Sequence, residues 1–298
     1  MSIQRAIERA IATAKEKAKD EEAGRVVAAA SAPAIQAAVS APAAQKRQRQ
    51  AFPKALLNTS DFQRVDFDPQ RCIDSRILIP GGDPALETRG AAPYRMLRTR
   101  LLHRARTNGW TAIGFTSPGP SEGKSLTTLN LALSMAREMN NNVFLVDLDL
   151  RNPSIAKYLG VTPPKSIAAL MSGEVAPDQA LFSIGVDNLL IAASDASTHH
   201  SSELVAAGRH MDLFSYISSI ASQPLILVDL PPVLSTDEAM VVAPQLDAIF
   251  LVVSEGVTRR DGLARAVDLL GEFNLAGIIM NQSHGVGQSY YSGTYNES

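Results

Sequence analysis

The chain has 298 residues, room for one large domain or two ordinary ones, and its 45% apolar and 19% charged content is that of a soluble globular protein. A net charge of −2 gives no global reason for nucleic acid or an acidic membrane as main partner, and the single cysteine, Cys72, excludes an internal disulfide framework and suits a reducing cytosol. No apolar run approaches the roughly 20 residues of a membrane span, and the charged opening MSIQRAIERAIATAKEKAKD does not read as a secretory signal. The expectation is a cytoplasmic protein whose membrane association comes through a partner.

In chain order, Ile3, Ile7 and Ile11 recur every four residues beside Ala6, Ala10 and Ala14, so residues 1–22 read as a short amphipathic helix, either solvated or docking. The alanine- and proline-rich stretch that follows ends in the basic patch KRQRQ at 46–50, and no aromatic occurs before Phe52. Such a segment builds no core of its own, and residues 23–90 are expected to be a largely disordered linker. Helical spacing begins at 93-PYRMLRTRLLHRA-105, with Leu97, Leu101 and Leu102 on one side. Six apolar runs then follow, at 111–116, 142–147, 187–192, 224–229, 248–253 and 276–281. Helical patterns at 124–139, 202–221, 236–244 and 259–273 lie between them. Continuous apolar strands alternating with helices imply an α/β domain over 91–283, with a central, mostly parallel sheet covered on both faces. Residues 284–298 are a polar, glycine-containing tail holding Tyr290, Tyr291 and Tyr295, half of the six tyrosines.

Three segments carry chemistry. The first strand runs into 116-TSPGPSEGKSLTTLNLA-132, a P-loop in which small residues turn backbone N–H groups toward an anion at a helix N-terminus. Its nucleotide-binding candidates are Gly119, Pro120, Ser121, Glu122, Gly123, Lys124, Ser125 and Leu126. Lys124 would reach the β/γ-phosphates of ATP and the Ser125 hydroxyl would hold Mg²⁺. The strict pattern wants glycine at 118, where this chain has Pro118 followed by Gly119. Next, 143-VFLVDLDLRNP-153 places Asp147 and Asp149 at a strand end. If that strand lies beside the P-loop strand, both carboxylates reach the phosphates, one toward Mg²⁺ and one to take a proton from a hydroxyl. Arg151 adds a cation for phosphate. Last, 224-PLILVDLPPV-233 ends a strand in Asp229, a Walker B carboxylate for Mg²⁺, with Pro231 and Pro232 stopping the strand.

In this order and spacing the segments resemble the bacterial tyrosine kinases (BY-kinases) of capsule and exopolysaccharide biosynthesis, over roughly 92–283, with further likeness at 169-ALMSGEV-175 and 202-SELVAAGRHM-211. The opening MSIQRAIERA and 79-IPGGDP-84 resemble the stand-alone, exosortase-associated (XrtA-type) autokinases. The resemblance implies a P-loop NTPase fold of the MinD-like (SIMIBI) type and an ATP- and Mg²⁺-dependent autokinase. It assigns Lys124, Asp147, Asp149 and Asp229 to catalysis, Ser125, Asp147 and Asp229 to the metal, Arg151 to support of the A′ loop (the Walker A′ motif D-x-D-x-R, here Asp147, Asp149 and Arg151) and Asn281 to adenine. It makes Tyr290, Tyr291 and Tyr295 acceptors phosphorylated between subunits of a homo-oligomer. It also implies an inner-membrane chain-length (co-polymerase) protein as activator. Two departures stand out: the oligomerisation motif E-x-x-R-x-x-R reads Ala92, Arg95, Arg98, and Leu230 replaces the threonine of D-T-P-P.

Two other functions fit the same nucleotide site. One is a ParA/MinD-like ATPase switch, although the extra lysine of that group, five residues before Lys124, is Gly119 here. The other is an ATP-binding regulatory subunit of a polysaccharide assembly complex, without kinase activity.

Overall fold

A computed structural model describes residues 58–79, 84–138 and 142–282. The expected N-terminal helix, the basic patch and the three tail tyrosines lie outside the described residues.

The six expected strands form, within two residues of the expected bounds, as β1 (Ala112–Thr116), β2 (Asn142–Asp147), β3 (Leu189–Ala192), β4 (Pro224–Asp229), β5 (Ala248–Ser254) and β6 (Leu275–Asn281). They make one sheet in the order β3-β2-β4-β1-β5-β6, and every ladder is parallel. β1 to β5 are buried along their whole length, which is why they read as unbroken apolar runs rather than alternating ones. The expected neighbour relation is corrected in one respect: β2 is not beside the P-loop strand β1, because the Walker B strand β4 lies between them. The register makes Asp147 and Asp229 Cα partners at the C-terminal ends of β2 and β4. In a parallel ladder, partners face the same side, so the two carboxylates stand together.

Ten α-helices are described: α1 (Pro69–Asp74), α2 (Pro84–Asn108), α3 (Lys124–Ala136), α4 (Ile155–Leu159), α5 (Ile167–Ser172), α6 (Pro177–Ala180), α7 (Ser201–Ala206), α8 (His210–Ile220), α9 (Glu238–Val242) and α10 (Arg260–Leu270). Helix α2 starts nine residues before the expected 93, with Pro93 inside it. The single helix expected over 202–221 is two helices, divided where Gly208 takes a φ of +75°. The short helices α4, α5 and α6 were not expected, since four to six residues are too few for a 3.6-residue period to register.

The expected disorder of 23–90 fails over 58–79. Asp68 caps α1 by accepting from the N–H groups of Gln70 and Arg71 at 2.9 and 3.1 Å, with Pro69 at the first helical position. Cys72, Ile77 and Ile79 enter the main core. Asn130, inside α3 and 1% exposed, accepts from Leu78 N–H at 2.8 Å and donates to the Arg76 carbonyl at 3.1 Å. Upstream, Val65 N–H donates to Ser183 O and Ser183 N–H to Gln63 O, at 2.8 and 2.9 Å. This strap is tied down at several points of the domain far along the chain.

Candidate active site

The P-loop leaves β1 at Thr116 and enters α3 at Lys124. Ser121 and Gly123 both take positive φ, +63° and +85°, which bends the loop around the N-terminus of α3. A Cβ at 123 would also displace the Asn281 amide that packs against the loop there. The Walker B loop is bound to the P-loop: Leu230 N–H donates to Phe115 O and Val233 N–H to Ser117 O, both at 2.9 Å, and the Thr116 hydroxyl donates to Pro231 O at 2.7 Å.

Four expected residues converge. Lys124 Nζ lies 2.7 Å from Asp149 Oδ2, 3.4 Å from Asp229 Oδ2 and 3.0 Å from Ser125 Oγ. All four are buried. Although β4 separates β2 from β1, Asp149 lies two residues past the end of β2, and the turn there carries it to the lysine. Burial alone would depress the Lys124 ammonium, but the charges of Asp229 and Asp149 outweigh it and hold its pKa above the ordinary lysine value.

Asp147, fully buried, does something else. Its Oδ1 accepts from Asp149 N–H at 3.2 Å, and its Oδ2 accepts from the N–H groups of Ser154 and Ile155, both at 3.1 Å. The carboxylate thus folds the A′ turn back on itself and seats Asp149. Burial, then the neighbouring Asp229 charge, raise its pKa above the usual carboxylate range, and burial raises Asp229 against the opposing pull of Lys124.

Three remaining candidates stand away from the lysine cluster. Arg151 is half exposed and points at Glu238, 3.8 Å away, a buried carboxylate that also accepts from the Ser202 hydroxyl at 3.1 Å. The Asn281 amide donates to the Glu122 carbonyl at 3.1 Å, so it braces the P-loop. Leu126 packs against the core. Leu230 is buried too, its Cδ1 3.0 Å from where a Cβ on Gly114 would stand, so position 230 faces away from Asp229 and Lys124. A threonine there would not add a hydroxyl beside the metal position.

Among the described residues no three acidic, histidine or cysteine side chains close on one point. Two buried carboxylates and the Ser125 hydroxyl fit Mg²⁺ held as it commonly is, through one or two carboxylates with phosphate and water completing the shell. Sequence reasoning passed over Thr258, which touches the P-loop through Glu122, and Glu238; neither belongs to a phosphate motif, and only the fold brings them in.

Comparison with known proteins agrees with this geometry. A family model described as ParA, NUBPL iron-transfer P-loop NTPase, matches residues 119–293, more than half of the chain. The tyrosine-protein kinase YwqD of Bacillus subtilis (strain 168) is 27% identical over 190 residues, covering 63% of this chain and 79% of YwqD. EpsB of Ralstonia nicotianae is 29% identical over 170 residues, 57% of this chain, but the chain spans only 22% of EpsB. The kinase domain of the Escherichia coli tyrosine kinase ETK superposes with a TM-score of 0.59 at 22% identity, over 71% of this chain and 85% of that domain, a likeness of fold. The chain belongs to the ParA family of P-loop NTPases, and the curated relatives it resembles are bacterial tyrosine-protein kinases.

Proposed function

We propose that the chain is an ATP-dependent protein-tyrosine autokinase that acts on its own C-terminal tyrosines in trans and regulates exopolysaccharide or capsule synthesis and export. The observation that carries the reading is the contact of the P-loop lysine with the carboxylates of both the A′ turn and Walker B, at 2.7 and 3.4 Å, all three side chains being buried. Beside the Walker B carboxylate this places a second one, Asp149, at the lysine, where a kinase needs a proton acceptor for the tyrosine hydroxyl.

In this mechanism the P-loop N–H groups and the Lys124 ammonium hold the β/γ-phosphates of ATP. Ser125 and Asp229 would hold Mg²⁺, which when bound supplies charge neutralisation on those phosphates. Asp149 takes the phenolic proton as the tyrosine oxygen bonds to the γ-phosphorus and the bond to ADP breaks. Asp147 keeps the A′ turn in shape for that transfer, and Arg151 supports the turn from outside. The family description names iron transfer, but the chain has one cysteine. Burial, then the Asp68 charge, push the Cys72 thiol up to about 11, which disfavours the thiolate a metal would need.

The acceptors are Tyr290, Tyr291 and Tyr295. Each phosphate adds about −1.5 to −2 charges, so successive transfers repel tails from one another and from the acidic site and loosen a homo-oligomer. An inner-membrane co-polymerase protein is the activator in this reading, and it holds an otherwise cytoplasmic chain at the membrane; no described helix is long and apolar enough to cross one. The XrtA-type autokinases are the subgroup it fits best. The test is to mix Lys124→Met chains, which keep the tail, with Tyr290/Tyr291/Tyr295→Phe chains, which keep the site, in Mg·ATP. Phosphotyrosine on the Lys124→Met chains is expected; its absence there, with wild type labelled, would exclude transfer in trans.

A further inference from the structure

Glu122 lies in the phosphate loop, one residue before the left-handed Gly123, and a carboxylate in that place opposes an incoming phosphate. It is 5% exposed, and three of its oxygens are spoken for. Its Oε1 accepts from Gly119 N–H at 3.0 Å, which closes the loop over 119–122. Its Oε2 accepts from the Thr258 hydroxyl at 2.7 Å, and its backbone carbonyl accepts from the Asn281 amide at 3.1 Å. The partners come from the far half of the domain, between β5 and α10 and from the last residue of β6.

The network continues from there. Thr258 Oγ1 also accepts from Ser254 N–H at 2.8 Å, and Thr258 N–H donates to Ser254 O at 3.0 Å. The Ser254 hydroxyl donates to Gln282 Oε1 at 2.6 Å, and Ser254 is the ladder partner of Asn281. Gln282, at a positive φ of +53°, is the last described residue before the segment that carries Tyr290, Tyr291 and Tyr295. One run of hydrogen bonds therefore links the amide of Gly119 to the root of the tail.

We infer that Glu122 is a positioning residue, turned away from the nucleotide and clamped by Thr258 and Asn281, so that the shape of the phosphate loop and the root of the C-terminal tail are coupled. The coupling is reciprocal: whatever steadies the loop steadies the 254–258 turn, and loosening the turn weakens the loop's hold on phosphate. Thr258 matters most, because without its hydroxyl Glu122 Oε2 is buried with no donor and turns toward the phosphates. The loop half of the inference needs only nucleotide binding; the meaning given to the tail rests on the proposed kinase function.

The experiment uses the full chain, a fluorescent ADP analogue and hydrogen exchange, neither of which requires phosphate transfer. Thr258→Val is expected to weaken binding of the analogue about ten- to a hundredfold, the worth of one charge-assisted hydrogen bond, while Thr258→Ser stays within about twofold of wild type. ADP is expected to slow exchange across 254–258 in wild type and in Thr258→Ser, and not in Thr258→Val. Where Thr258→Val fails to fold, Glu122→Gln takes its place. A single amide oxygen serves Gly119 or Thr258 but not both, and the same partial loss is expected. Wild-type affinity in the folded variant, or exchange across 254–258 indifferent to ADP in wild type, would overturn the inference, whether or not the chain phosphorylates tyrosine.

Discussion

The strap over 58–79 and the phosphate end of the sheet both bury polar groups, but they balance them differently. In the strap the contacts that reach across to Asn130 and Ser183 pair neutral partners, an amide with a carbonyl, and the resting fold satisfies them. At the phosphate end Asp147, Asp149 and Asp229 share one buried ammonium, Lys124, and two of those carboxylates have pKa values raised by burial. Burying like charge costs stability that a bound cation would restore. The strap is built to hold; the site is built to be completed by ligand. Substitutions in one should therefore act on stability, and substitutions in the other on chemistry.

The sharpest break of that contrast is Lys124→Met, expected to lower phosphate transfer by about 10²–10³-fold or more, the scale of losing one preorganised charge at a reacting group. Anti-phosphotyrosine detection reads the loss, and a native circular dichroism spectrum shows that the fold survives. In the strap, Ile77→Ala should cost about 2–5 kcal/mol in urea unfolding, for a buried side chain in the main core. Transfer per folded molecule should stay near wild type. Asn130→Ala leaves Leu78 N–H and the Arg76 carbonyl without their partner, at about 1–3 kcal/mol by the same measurement.

The smallest effect separates the regions by pH. Asp147 and Asp229 hold protons in the folded chain that the unfolded chain has released, because their folded pKa values lie above the usual range near ~3.9. Between that range and their folded values, stability must fall as pH rises. The cluster's contribution should thus be on the order of 1 kcal/mol lower at about pH 8 than at about pH 5.5, in protein without nucleotide. An Asp229→Asn chain should show a flatter profile; a wild-type profile in that variant would remove the cluster as the cause.

The same contrast explains what could be read from residues alone. Strands β1 to β5 were legible because burial on both faces writes itself as local apolar runs, and the convergence of Lys124, Ser125, Asp149 and Asp229 was legible because phosphate chemistry fixes their spacing. The strap was not, because Cys72 and Ile77 follow no period, and the segment is held through Leu78 and Arg76 by Asn130, over fifty residues away in sequence. Asp147 was read as a metal ligand from its place in the motif, whereas its three backbone donors come from a turn whose path the sequence does not state. Leu230 looked like a lost hydroxyl until the pleat turned it toward Gly114. Thr258 needed the fold, since it meets Glu122 across 136 residues of sequence.

The central claim is that this site sends the γ-phosphate to tyrosine rather than to water. Its most direct test follows the fate of that phosphate: the full chain is incubated with Mg²⁺ and γ-labelled ATP, and the label on protein and in inorganic phosphate is counted over time. Label is predicted on tyrosine of the wild-type chain, absent with Lys124→Met and strongly reduced with Tyr290/Tyr291/Tyr295→Phe. Label that appears only as inorganic phosphate, with none on tyrosine in any of the three chains, would contradict the account and leave an ATPase.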